Sequence, residues 1–211
     1  MFYETAKRDH GLPFDPFKAI VAPRPIGWIS SVSADGKVNL APYSYFNALS
    51  ARPDLVMFSS EGVKDSVTNI RQTGEFVANH AGFHLAEQIN LTSVMAPHGT
   101  NEFELSGLTQ APSRMVAPPR VAEAYAALEC RLVQEIALKD SAGHLAGAIM
   151  MIGEVVGVHI DEAVIKNGRF DVELAQPVAR LGYRDFSGPD GYFEMARPEW
   201  ANFVDGKPTQ A

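Results

Sequence analysis

Two long β-like stretches on either side of a short turn constrain this chain more than any other feature. Ala127 to Leu138 and Leu145 to Ile160 flank Asp140-Ser141-Ala142-Gly143, a cluster of residue types that reverse a chain. Strands of this length joined so directly pair with each other, which places a hairpin at the heart of an antiparallel sheet. Shorter strands precede it. The pattern predicts a strand from Pro23 to Ser33, a tight hairpin from Val32 to Val38 around Asp35-Gly36, a second strand from Val38 to Asn47, a third over Leu55 to Phe58, and another at Phe76 to Asn79. Helices are few. One is expected from Ser66 to Thr73, with Asp65 or Ser66 capping its start and Gly74 ending it, and another from Leu85 to Val94. Ala96 to Asn101 and Pro118-Pro119 read as irregular. No βαβ alternation appears, so the expectation is a mainly β chain: a closed or partly closed antiparallel barrel with a few peripheral helices, closure also removing exposed strand edges.

At 211 residues the chain is read as a single domain, 1–211, with residues 186–211 forming an aromatic-rich C-terminal tail. Phe186, Tyr192, Phe193, Trp200 and Phe203 are expected to pack over the barrel or across a neighbouring subunit. A net charge of -7 disfavours nucleic acid and anionic membrane as partners, so an anionic ligand needs local positive groups. Cys130 is the sole cysteine, which rules out an intrachain disulfide and fits a small buried side chain in a reducing compartment. The first ten residues lack the apolar core of a secretory signal, and no run reaches the roughly 20 apolar residues of a membrane span. A cytoplasmic location is the expectation.

The chemistry concentrates between Pro23 and Asn69. Pro42 falls inside the second strand, where a proline removes a ladder donor, and Tyr43-Ser44-Tyr45-Phe46-Asn47 alternates poorly. A strand end that wraps a heteroaromatic ring explains both, although an irregular edge strand also accommodates them. Ser59, Ser60 and Ser66 offer hydroxyls, and Lys64 stands at the start of the first helix, where free N–H groups and the helix dipole favour a phosphate. Arg24 can add a planar fork. The same segment is compatible with a surface lysine and a routine cap. Taken together, aromatic rings beside hydroxyls and amides with a lysine at a helix start suit a flat polar ring bearing a phosphate, which points to a flavin. His80 and His84 are four apart but bracket Gly82 at a strand-to-helix junction, so no metal site is expected. There is no Gly-x-Ser-x-Gly elbow and no Gly-x-Gly-x-x-Gly after a strand.

Arg24-Pro25-Ile26-Gly27-Trp28, Asn39-Leu40-Ala41-Pro42-Tyr43-Ser44-Tyr45-Phe46-Asn47 and Lys64-Asp65-Ser66 resemble, in order and spacing, motifs of the flavin reductase-like family of FMN-binding split barrels. The likeness continues through Asn101-Glu102-Phe103-Glu104, Pro118 to Glu123, Leu128-Glu129-Cys130 and Pro177 to Gly182. It implies an antiparallel Greek-key split β-barrel and a homodimer with FMN in a cleft at the subunit interface. Ser44, Tyr45, Phe46 and Asn47 would border the isoalloxazine ring or ribityl chain. Ser59, Ser60, Lys64, Asp65 and Ser66, with Arg24, would take the phosphate end, and Asn79 would lie near the cofactor. Ser66 replaces a threonine common in relatives and keeps the hydroxyl. The activity implied is reduction of flavin by NAD(P)H and onward transfer to a second acceptor or a partner monooxygenase, with no side chain needed as catalytic acid or base. Two alternatives stay open: a non-enzymatic FMN electron carrier, and a split-barrel oxidase of a small amine, for which Arg180 and Arg184 are the available cationic pair.

Overall fold

The computed structural model describes residues 1–189 together with a two-stranded pairing of Phe203–Val204 with Lys207–Pro208. The expected packing of the aromatic tail from Tyr192 onward lies outside the described residues. Seven strands form the central antiparallel sheet: β1 Gly27–Val32, β2 Val38–Tyr43, β3 Phe46–Ala51, β4 Asp54–Glu61, β5 Glu75–Asn79, β6 Ala126–Lys139 and β7 Leu145–Ile160. Their order is β2-β1-β5-β6-β7-β4-β3. The long hairpin β6–β7 sits in the middle, as its length demands. Asp140 Oδ1 accepts from the amides of Ala142 and His144 at 2.9 Å and so fixes its turn.

β2 and β3 are consecutive in sequence yet occupy opposite edges of the sheet. The sheet must curl until these edges meet, which makes the fold a split barrel. Ser44 and Tyr45 carry the chain across. The single strand expected from Val38 to Asn47 is therefore two, broken where side-chain alternation gives out. The closure is bridged by the rings of Tyr43 on β2 and Phe58 on β4, 4.6 Å apart, while Ser59 N–H, donating to Tyr45 O at 2.8 Å, extends the β3–β4 ladder back to the crossing.

Both faces of the central strands are covered. Successive residues of a strand point to opposite sides, so Ile29 joins the inner cluster with Tyr43, Phe58, Phe76, Cys130 and Met151. Its neighbour Trp28 joins an outer cluster with Leu40, Leu85, Ile89, Phe103 and Val178. That explains why Gly27 to Ser31 are all buried without any polar–apolar alternation. Burial pushes the Cys130 thiol up to about 12, in keeping with a packing role.

Besides two four-residue helices at Phe17–Ile20 and Val172–Ala175, the helices among the described residues are α1 Asp65–Thr73, α2 Ala86–Leu91 and α3 Glu102–Ser106. Val67 and Ile70 of α1 pack into the inner cluster and close the barrel beside β1 and β2. Gly74, at φ 72°, ends α1 as expected. α2 is shorter than the sequence pattern: a 3₁₀ turn at Phe83–Leu85 precedes it and Thr92 caps its end. α3 was not anticipated; Asn101 starts it by accepting from Phe103 N–H at 3.1 Å. No helix among the described residues is long and apolar enough to cross a membrane.

One buried carboxylate organises a whole loop. Glu129 is fully buried in β6 and accepts from the backbone N–H groups of Arg114, Met115 and Val116, and from His159 Nε2. Burial pushes its carboxyl up, but these donors more than offset that and hold it below the usual range. A carboxyl lowered by folding contributes stability above its unfolded pKa and loses it as pH falls through the folded value. Glu129→Gln should cost about 1–3 kcal/mol at neutral pH and flatten the acid limb of the stability profile, read from urea melts at neutral and acidic pH. At the seam, a Cβ on Gly27 would collide with the Phe46 ring, meeting Cδ2 and, at 2.7 Å, Cγ. Gly27→Ala should therefore lower stability by about 1–3 kcal/mol through displacement of β3, measurable by the same melts.

Candidate functional site

The gap between the two sheet edges opens into a cleft of about 400 Å³, within the usual range for small-molecule sites. Ala41, Pro42, Tyr43, Ser44 and Tyr45 form one wall, Ser59 and Glu61 the floor from β4, and Lys64, Asp65 and Ser66 the end where α1 begins. Thr92 to Ala96 supply the opposite wall. This wall is tied down at its root, because Trp28 Nε1 donates to buried Thr92 Oγ1 at 2.9 Å.

The N-cap of α1 is Lys64, not Asp65 or Ser66, and no side chain caps this helix start. The first α-helical bond runs from Thr68 N–H to Lys64 O, so the N–H groups of Asp65, Ser66 and Val67 have no partner within the helix. Behind them lies a buried polar cluster. Asn39 Nδ2 donates to Ser66 Oγ at 2.9 Å, and the Tyr43 hydroxyl bonds to Ser66 and Ser60. Burial pushes the Tyr43 hydroxyl pKa up, so it remains a neutral donor.

The cleft charges are largely matched. Lys18 Nζ lies 3.3 Å from Glu61 Oε1 and 5.6 Å above the Tyr45 ring. Asp65 accepts from His98 Nδ1 at 2.7 Å and from Gly99 N–H at 3.0 Å. Glu102 accepts from Leu40 N–H at 2.9 Å, and burial raises its carboxyl pKa. Lys64, by contrast, is exposed and makes no ion pair among the described residues. An uncapped helix start beside an unpaired ammonium and the cleft residues Ser59 and Ser66 is a donor set suited to a phosphate. The rings and small apolar groups along the walls suit a flat heterocycle, so the chemistry of the cleft fits FMN.

Of the residues expected at the site, Ser44, Tyr45, Ser59, Lys64, Asp65 and Ser66 line this cleft. Ser60 is buried behind it, its hydroxyl donating to Gly62 O at 2.8 Å. Arg24 does not reach it. The guanidinium is buried and donates to the carbonyls of Lys18, Val21 and, at 2.8 Å, Leu181. Its effect on the cleft is indirect, through the backbone of Lys18. Asn47 is exposed and accepts from Ala48 N–H.

Phe46 and Asn79 line a second, mostly apolar cleft of about 530 Å³ with Ile26, His80, Leu128 and Val178. The Asn79 amide is fully engaged there, donating to Trp28 O and Ser30 Oγ and accepting from Val121 N–H. A shallow pocket of about 160 Å³ shares Pro42, Ser44 and Ser93 with the first cleft and adds Arg180, which lies over the Phe186 ring at 4.3 Å. Sequence reasoning missed Lys18, Asn39, Glu102 and the Thr92–Ala96 wall as parts of the site. Asn39, inside the motif that ends at Asn47, and Glu102, inside Asn101-Glu102-Phe103-Glu104, carried a local signal; Lys18 and the Thr92–Ala96 wall did not.

If the cleft end is an anion site, inorganic phosphate at ten times its Kd should stabilise the protein by about 1.4 kcal/mol in thermal melts. The Lys64→Ala protein should lose most of that gain.

The flavin reductase like domain model matches residues 21–176. An uncharacterised protein of Aquifex aeolicus is 34% identical over 169 residues, spanning 77% of this chain and 83% of that one. Nitrilotriacetate monooxygenase component B from Bacillus cereus superposes with a TM-score of 0.84 at 30% identity, covering 92% of this chain and 98% of that one. The 2-nitrobenzoate 2-nitroreductase of Pseudomonas fluorescens gives 0.82 at 27% identity, covering 95% and 98%.

Proposed function

Because the chain belongs to the flavin reductase-like family of flavin-binding oxidoreductases, we propose that the cleft beside α1 holds FMN and that the protein is an NAD(P)H-dependent flavin oxidoreductase. The observation that carries the reading is the uncapped start of α1, with unpaired Lys64 beside it, opening into a cleft lined by hydroxyls and rings. Lys64, the N–H groups of Asp65 to Val67 and the Ser66 hydroxyl would hold the phosphate. Ser59 and Ser44 would meet the ribityl chain and the polar ring edge, and Tyr45, steadied by Lys18, would shield the ring. When bound, the flavin supplies two-electron redox chemistry between a reduced nicotinamide and a second acceptor.

The protein's own contribution is positional. Trp28 fixes the Thr92–Ala96 wall that excludes water from one side, and the buried Asn39–Ser66–Tyr43 cluster orients hydroxyl donors at the anion end. No side chain is assigned a proton-transfer role. Arg180, at the side pocket that meets Ser44, would meet a second anionic molecule at the open end with the donors left over from its bonds to the Tyr183 and Asp185 carbonyls.

Pairing of two chains into a homodimer belongs to the same reading, supported by the apolar second cleft and by exposed Leu49, Val133, Val158 and Ile160 on the sheet. A partner monooxygenase as electron acceptor is supported by the likeness to a monooxygenase component. A cytoplasmic setting accords with the lone buried thiol.

Purified protein mixed with FMN should show a bound-flavin spectrum that bleaches on anaerobic addition of NADH or NADPH. A bound flavin that neither donor bleaches would overturn the activity, and no flavin uptake would overturn the site. Lys64→Ala should weaken FMN binding by about 1–3 kcal/mol, a roughly 5- to 150-fold rise in Kd.

A further inference from the structure

Two arginines face each other with no carboxylate between them. Arg24-Pro25 pairs antiparallel with Ala179-Arg180, which sets Arg24 directly opposite Arg180, and Phe186 lies opposite Arg180 on its other side. Like charges at directly opposed strand positions repel. Neither guanidinium has an ion-pair partner among the described residues. Arg24 is buried and spends its donors on the carbonyls of Lys18, Val21 and Leu181. Arg180 gives Nη1 to Asp185 O at 3.3 Å and Nη2 to Tyr183 O at 2.6 Å. Its Nε and the second N–H of each terminal nitrogen remain available. Burial, and after it the Arg24 charge, lower the Arg180 pKa, with Asp185 working the other way. Positive charge is held here at a cost that a bound anion would relieve.

Arg180 lines the side pocket of about 160 Å³, whose remaining walls are mixed. Ile26 and Ile89 are buried and form its depth, while Phe186 and Asn90 are exposed at its mouth. The Phe186 ring backs the guanidinium at 4.3 Å. The Ser44 hydroxyl and the Asn90 amide have no hydrogen-bond partner among the described residues, so both are open to a ligand. A cavity of roughly 150 Å³ takes a benzene ring. The pocket therefore admits a body of about one ring and is too small for a nucleotide. A bare inorganic anion would leave Ile26 and Ile89 facing water. A carboxylate on a compact apolar body satisfies both ends, because its two oxygens match the planar fork of a guanidinium.

Resting on the FMN reading for what fills the neighbouring cleft, we propose that the side pocket is a binding site for a small aromatic monocarboxylic acid, its ring seated against Ile26, Ile89 and Phe186 and its carboxylate held by Arg180. The pocket shares Pro42, Ser44 and Ser93 with the first cleft, so the acid sits beside the flavin.

Calorimetric titration with benzoate, and with uncharged benzamide, tests this on the purified protein before and after loading with FMN. Benzoate should bind in the millimolar range or tighter, and benzamide about tenfold more weakly or worse. Saturating inorganic phosphate, which the Lys64 end would take, should leave the benzoate Kd unchanged within about twofold. Arg180→Gln should raise that Kd by about tenfold or more, Phe186→Ala by about threefold or more, and Arg180→Lys, which keeps the charge without the fork, should fall between them. In the FMN-loaded protein, benzoate should shift the visible absorption of the bound flavin, and Arg180→Gln should abolish the shift at the same benzoate concentration.

No measurable benzoate binding, equal affinity for benzamide, displacement by phosphate, or an unchanged Kd in both Arg180→Gln and Phe186→Ala overturns the inference. Melting curves identify a variant that does not fold; Phe186 is exposed, so if Arg180→Gln fails, Phe186→Ala decides. Benzoate binding that FMN abolishes assigns the pocket to the flavin, and binding that leaves the flavin spectrum unmoved places the acid elsewhere; either result also overturns it. Failure of the wild type to take up flavin overturns the functional reading instead, and the titration of flavin-free protein then judges the pocket by itself.

Discussion

The passage of the chain from one edge of the sheet to the other, in the two residues Ser44 and Tyr45, is the constraint on which the rest depends. β2 and β3 cannot be sequence neighbours and opposite edges unless the sheet curls on itself. The Tyr45 carbonyl, taking the Ser59 N–H, extends the β3–β4 ladder back to the crossing. Ser44, at the crossing, and Ser59, on β4, line the cleft there. The cleft follows from the way the barrel closes.

α1 completes the arrangement because it must serve two neighbours. Its apolar side, Val67 and Ile70, is drawn into the barrel interior by burial, about 1.5–3 kcal/mol for each side chain. That fixes the direction of the helix and points its uncapped start at the gap. Asn39 and Tyr43, on the strand beneath, hold Ser66 from behind. Most charged groups at the rim are already matched: Lys18 with Glu61, and Asp65 with His98. Lys64 is the exception: its ammonium has no ion-pair partner among the described residues. In a chain of net charge -7, whose cleft also carries Glu61, Asp65 and Glu102, an anion site depends on that ammonium and the N–H groups at the helix start.

Much of this was legible in the residues. The β6–β7 hairpin followed from two long β-rich runs and a turn of Asp, Ser and Gly, and β7 spans Leu145–Ile160 as read. The serines and lysine at the cleft were recognisable because polar groups crowd where alternation fails. The break at Ser44 was not, since Pro42 and three aromatic residues fit a single irregular strand equally well; only the pairing of each half with a different strand reveals it. Arg24 was misplaced for a similar reason. A guanidinium beside a phosphate motif invites that pairing, but its carbonyl partners come from Lys18, Val21 and Leu181, the last of them distant in sequence. The far wall at Thr92–Ala96 depends on a tryptophan–threonine bond across 64 positions, which no local pattern encodes. Asp65 looked like a helix cap because that is what aspartate does at a helix start; a loop folded back from residue 98 takes its oxygens instead.

Amide chemical shifts followed during a flavin titration test the central claim most directly. Binding of FMN should move the backbone N–H resonances of Asp65, Ser66 and Val67 strongly and downfield, as new hydrogen bonds form to the phosphate. Riboflavin, which lacks the phosphate, should leave those three nearly unmoved while shifting Ser44 and Tyr45. If FMN leaves the start of α1 unperturbed, or moves only residues around Phe46, His80 and Leu128, the flavin lies elsewhere and the account is contradicted.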